Sequence, residues 1–92
     1  MESVKKIAEY YIEHKQYHKA EEKLKNMLEI NPLDEKGYEM LMRVYYYMGD
    51  RIKLSMQYEQ LNTLLTKELN LPIRSSTKQL YKKLLLDLES EK

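Results

Sequence analysis

At 92 residues, 42% of them apolar and 34% charged, the chain has room for one domain and a balance suited to amphipathic helices, which argues against disorder and leaves no space within these residues for a second domain. Sixteen Lys and Arg against fifteen Asp and Glu leave a net charge of +1, so no overall field draws this segment to a phosphate backbone, and direct nucleic-acid binding is not expected of it. The absence of cysteine removes disulfides and thiol chemistry and fits the cytoplasm. No apolar run approaches the roughly 18 residues of a membrane span, and charges in the first nine residues interrupt any secretory leader, so no membrane partner is expected.

Val4, Ile7, Ala8, Tyr11 and Ile12 recur at steps of three and four and predict a first helix, with Lys5, Lys6, Glu9 and Glu13 outside its apolar face. After a polar break at residues 14–16, Tyr17, Ala20, Leu24, Met27 and Leu28 line a second helix, which must end at Asn31 and Pro32 because proline cannot continue the ladder. Asp34 is placed to cap a third helix burying Tyr38, Leu41, Met42, Tyr45 and Met48, and Gly49 ends it. Asp50 caps a fourth, carrying Leu54, Tyr58, Leu61 and Leu65, which runs to Leu69 and stops at Asn70, a residue that tolerates left-handed dihedrals, ahead of Pro72. Ser76 with Gln79 three residues on has the spacing of a capping box and predicts a fifth helix with Leu80, Tyr81, Leu84, Leu85 and Leu88 inward. The tail from residue 89 to 92 is expected to fray.

These segments repeat at a period of 34: Val4 falls over Tyr38, Ile7 over Leu41, Ala8 over Met42, Tyr11 over Tyr45, Leu24 over Tyr58 and Met27 over Leu61. That period marks tetratricopeptide arrays, in which a helix hairpin cannot bury its apolar face alone and must stack on the next. The predicted fold is all-α: a tetratricopeptide-like array of antiparallel helix hairpins, about five helices in a single domain over 1–92. Residues 1–34 form the first repeat, 35–70 a second and longer one, and 71–92 a terminal capping helix. Ala20 supplies the small residue expected where paired helices approach. Leu54 replaces it in the second unit, and Thr66 stands where the first has Pro32, so the fourth helix can run about a turn longer.

The order of several short stretches narrows this further. They are Asn31 to Glu35 (a proline-leucine-acidic turn), Leu41, Met42 and Arg43, then Gly49, Asp50 and Arg51, the tyrosine-bearing Gln57 to Leu61, and Lys67, Glu68, Leu69 and Asn70, followed by Leu80 and Tyr81 about ten residues on. In this order and spacing the chain resembles the bacterial transcriptional activator domain of antibiotic regulatory proteins and related response-regulator transcription factors, over most of its length. Asn70 stands where that family usually has glycine, and Tyr38 where histidine is common. The resemblance implies a regulatory module, with a winged-helix DNA-binding domain expected elsewhere in a full-length protein.

Candidate chemistry is sparse. His14 and His18 straddle a predicted turn and lack the third and fourth ligands that zinc requires, and the serines and threonines fall chiefly at helix boundaries, where capping explains them; no metal, cofactor or catalytic residue is expected. Tyr45, Tyr46 and Tyr47 spread over roughly 200° of a helix at about 100° per residue, so they cannot all be core. Tyr45 takes the buried register, while Tyr46 and Tyr47 turn partly toward the concave surface lined by the first helices of each pair, to contact a partner or to pack on neighbouring helices or an oligomer mate. By the same geometry Lys5, Glu9, Ile12, Glu39 and Arg43 line that groove. Tetratricopeptide domains that grip a peptide carboxylate use lysine, asparagine and arginine at set positions, and Glu9 occupies one of the asparagine places, which argues against that activity. The candidate partner-binding residues are therefore Glu9, Ile12, Arg43, Tyr46 and Tyr47. The expected function is a regulatory interaction or self-association domain of a bacterial transcriptional regulator. A free-standing adaptor for a peptide or protein is the alternative, and a small hydrolase or metal protein a distant third.

Overall fold

Helix boundaries are fixed by residues that satisfy the amides and carbonyls left over when a ladder begins or ends. The computed structural model describes residues 4–90, which form α1 (Val4–Glu13), α2 (Tyr17–Ile30), α3 (Glu35–Met48), α4 (Arg51–Thr63), a π-helical turn over Leu64–Glu68 and α5 (Ser75–Ser90). No strand occurs among the described residues.

Asp34 opens α3 by accepting the Gly37 amide at 3.1 Å, and Asp50 opens α4 by accepting the Lys53 amide at 3.0 Å, as side-chain caps do. Asp34 also meets the Lys5 ammonium at 2.9 Å. Burial alone would push the Asp34 carboxyl up, but Lys5 and the Gly37 amide outweigh it and hold the group below its usual value. Gly49 ends α3 in the left-handed region at φ 72° and Asn70 does so at φ 53°, joined by Lys15 at φ 59° in the turn between α1 and α2.

Two local features depart from expectation. The ladder of α4 widens into the π-helical turn before it reaches Asn70, with the Thr66 hydroxyl donating to the Asn62 carbonyl at 2.7 Å and the Leu71 amide reaching back to Leu65 at 2.8 Å. The fifth helix begins at Ser75, two residues earlier than a Ser76 capping box requires. Its first bond runs from the Lys78 amide to the Arg74 carbonyl at 3.0 Å, and Ser76 sits exposed in the first turn.

Each helix packs on its chain neighbour, α1 on α2, α2 on α3 and α3 on α4; α3 also touches α1 and α5, and α5 rests on α4. This is the tetratricopeptide-like array of antiparallel hairpins. Because α3 is gripped from so many sides, Gly37, Tyr38, Met40, Leu41, Met42, Val44 and Tyr45 are all buried, a wide face that suits a central helix, with Lys36, Arg43 and Tyr47 on its exposed side. Gly37 lets it approach α2, since a side chain there would strike Met27 and Leu28. Ala20 and Leu54, the paired positions of the two hairpins, are both fully excluded from water alongside Ala8, Leu24 and Leu61.

Candidate interaction surfaces

Of the first helices of the array, α1 carries Glu9 and Ile12, and α3 carries Arg43, Tyr46 and Tyr47. Tyr46 is half-buried and donates its hydroxyl to Asp87 of α5 at 2.5 Å. Tyr47 is about half exposed, stacks on Tyr17 of α2 with ring centroids 5.7 Å apart, and meets the Tyr46 ring edge-on at 5.5 Å. Arg43 is exposed and forms no ion pair among the described residues; Glu9 is exposed on α1, and Ile12 is half-buried against the core. Two neighbours expected in the same groove are committed elsewhere: Lys5 to Asp34, and Glu39 to α5.

That last contact was not foreseen. Thr77 is 0% exposed, and its hydroxyl lies 3.0 Å from both the Glu35 and the Glu39 Oε2 atoms. A hydroxyl holds one proton, so it donates to one carboxylate at a time while keeping the other close. Arg74 lies 3.6 Å from Glu35. With the Tyr58–Tyr81 stack at 4.0 Å and the Tyr81 hydroxyl donating to Ser55 at 3.1 Å, these bonds latch α5 across α3 and α4. The periodicity did contain the signal, since Thr77 extends the stripe of Tyr81, Leu84 and Leu88 back by one turn. The outer side of α5 is polar, with Lys78, Gln79, Lys82 and Lys83 exposed around Leu86.

On the opposite layer, Glu21 of α2 gathers charge. Its carboxylate accepts the Tyr45 hydroxyl at 2.7 Å and lies 3.6 Å from both Lys25 and Lys53. Burial pushes its carboxyl up, but Tyr45, Lys53 and Lys25 together outweigh that and hold it below the usual value. The Tyr45 phenol moves the other way, raised first by its own burial and then by the Glu21 carboxylate. His18 sits 3.7 Å from Glu21, whereas His14 bonds the Tyr10 carbonyl at 2.8 Å. The two histidines thus have separate partners, and no group of three or more metal-ligating side chains assembles among the described residues.

A groove of about 1000 Å³ separates α2 from α4. Tyr38 and Leu41 of α3 contribute to its lining, with Leu28, Pro32, Met56 and Leu64 among the apolar residues, and Lys25, Glu29, Glu59 and Glu68 also border it. Its sequence signal lies in α4, which carries Ile52 and Met56 on the side away from Leu54, Tyr58 and Leu61.

A family model for the bacterial transcriptional activator domain matches residues 1–85. The chain belongs to that family. The match runs from the start of the chain into α5, and the stretches that carry the resemblance fall at joints and in the core of this activator domain. Pro32 to Asp34 form the α2–α3 joint, Leu41 and Met42 are buried in the middle of α3, and Gly49 to Arg51 make the α3–α4 joint. The family is that of a transcriptional activator domain, and in this chain the stretches named above build the joints and core of the array. Among curated proteins and among solved structures nothing matches the chain.

Proposed function

We propose that this activator domain is a cytoplasmic, non-catalytic protein-binding module of a bacterial transcriptional regulator, built of two repeats over 1–34 and 35–70 with 71–92 as a capping helix. The observation that carries the reading is the family match across nearly the whole chain, joined to a fold of stacked hairpins whose purpose is to display surface. The contact face is the first-helix side: Glu9, Arg43 and Tyr47 stand exposed on it, Ile12 supplies apolar area at its edge, and Tyr46 ties it to α5 through Asp87. A partner on this face would bias a DNA-binding domain carried elsewhere in the regulator. Self-association through the terminal helix has less support, because its outer side is polar and carries Leu86 as its one exposed apolar residue among the described residues.

Transcript profiling in the native host tests the reading. Deleting the gene should change a defined set of transcripts, and replacing Arg43, Tyr46 and Tyr47 together (Arg43→Ala, Tyr46→Phe, Tyr47→Ala) should reproduce those changes while helicity stays intact. A deletion strain with unaltered transcripts would reject a role in transcription. A triple variant that behaves as wild type would reject this face.

A further inference from the structure

We infer that the groove between α2 and α4 is a docking site for a basic amphipathic helix of a partner protein. The inference rests on the domain being a protein-binding module, but it uses a different face from the one proposed above.

Shape comes first. The two second helices do not pack on each other, and Tyr38 and Leu41 from α3 take part in lining the space between them. Along α4 and its π-helical turn the lining runs from Ser55 to Glu68, roughly 20 Å at about 1.5 Å per residue, or three to four turns of helix. A helix laid along two rails over an apolar floor is a recurrent way of binding a peptide.

Composition then sets what the occupant must offer. Leu28, Pro32, Met56 and Leu64 make the groove apolar, and methionine adapts its shape to whatever fills the space. Ile52 and Met56, one turn apart on α4, are 70% and 62% exposed. An isolated exposed apolar residue is ordinary, but a pair in register beside an apolar groove gives a partner helix a continuous stripe to cover.

Charge selects among apolar helices. Glu29, Glu59 and Glu68 border the groove, and none has an ion-pair partner among the described residues. The one bordering cation, Lys25, lies 3.6 Å from Glu21 and is already engaged. The groove is therefore negative in a chain of net charge +1, and lysine or arginine flanking an apolar stripe is its complement. A second copy of the chain fits less well. The outer side of α5 offers Lys78, Lys82 and Lys83 but only Leu86 as apolar area.

The whole chain is titrated with a synthetic helical peptide of about 14 residues, roughly four turns, with leucines along one face and lysines on both flanks. A second peptide carries glutamates in place of the lysines. Amide NMR shifts locate the contact and calorimetry gives the affinities. The lysine peptide should perturb α2 and α4, bind more tightly than the glutamate peptide by about ten-fold, and lose about as much on double replacement Glu59→Lys with Glu68→Lys. All four positions tested are exposed, and Met56→Gln with Ile52→Gln should weaken both peptides without altering helicity. Equal affinity for the two peptides, no binding, or shifts confined to α1, α3 and α5 would overturn the inference. So would a dimer by light scattering that the Glu59→Lys, Glu68→Lys pair dissolves, because the occupant would then be a second copy. The peptide assay reads the groove and the transcript assay reads regulation, so failure of one is distinguishable from failure of the other.

Discussion

Replacing Tyr45 with phenylalanine removes one hydroxyl from the middle of the array and leaves its packing in place. Tyr45 is 1% exposed and donates at 2.7 Å to Glu21, tying α3 to α2. A hydrogen bond to a charged acceptor contributes about 1.5–3 kcal/mol. Glu21 keeps Lys25 and Lys53, each at 3.6 Å, so its charge is not stranded, and the loss belongs at the lower end, about 1.5 kcal/mol. Against a total stability of about 5–14 kcal/mol expected for this length, and a urea slope of about 1 kcal/mol/M, the unfolding midpoint should fall by about 1.5 M. The pH dependence follows from the sign of the Glu21 shift. Its folded carboxyl is held below the ordinary value of 4.5, so its stabilising contribution is present above that value and is lost as pH falls through the lower, folded one. The penalty of Tyr45→Phe should therefore shrink in acid toward the roughly 0.5–1 kcal/mol of a neutral hydrogen bond. Urea melts followed by circular dichroism at neutral pH and near pH 3 measure both quantities. A neutral-pH penalty below about 0.5 kcal/mol, or one identical at both pH values, would refute the account of Glu21 as a charged acceptor.

Leu61→Ala opens a cavity at a fully buried position and should cost about 2–5 kcal/mol, lowering the thermal midpoint by at least about 10 °C in a domain of this size. Gly49 has open space where a side chain would project but holds φ at 72°, so Gly49→Ala should cost about 1 kcal/mol through the backbone alone; at Asn70, with φ 53°, replacement by glycine should be neutral or slightly stabilising in the same urea melts. Thr77→Val keeps the volume but removes the proton shared by Glu35 and Glu39. Hydrogen exchange should then quicken across α5 before α1 to α4, and uniform exchange across the chain would show that α5 is not latched there.

The residues that ended or began helices correctly in the sequence did so by chemistry completed within a few positions. Asp34 and Asp50 each cap an amide three residues ahead, and Gly49 and Asn70 need only their own dihedrals. The buried stripe of each helix was legible for the same reason, since a period near 3.6 reports one apolar face wherever that face ends up. The candidate surface was legible only in part. Tyr46 and Tyr47 were recognisable as too many tyrosines for one core face, but the sequence does not show that one leans on Asp87 and the other on Tyr17.

Thr77 shows where legibility ends: the helical period places it on the inner stripe of α5 but does not name the groups that accept its hydrogen bond. Those groups are two carboxylates 38 and 42 residues away. Because α5 already starts at Ser75, Ser76 lies inside its first turn and has no cap to make. The α2–α4 groove likewise belongs to no segment, because it exists only where two helices stand apart over a third. The sequence by itself determined five amphipathic helices, their order and the period at which they stack, because caps and apolar stripes act through near neighbours in the chain. Tertiary structure alone decided which polar groups pair across helices and which surfaces stay open, because those outcomes depend on distances that form only once the hairpins have packed.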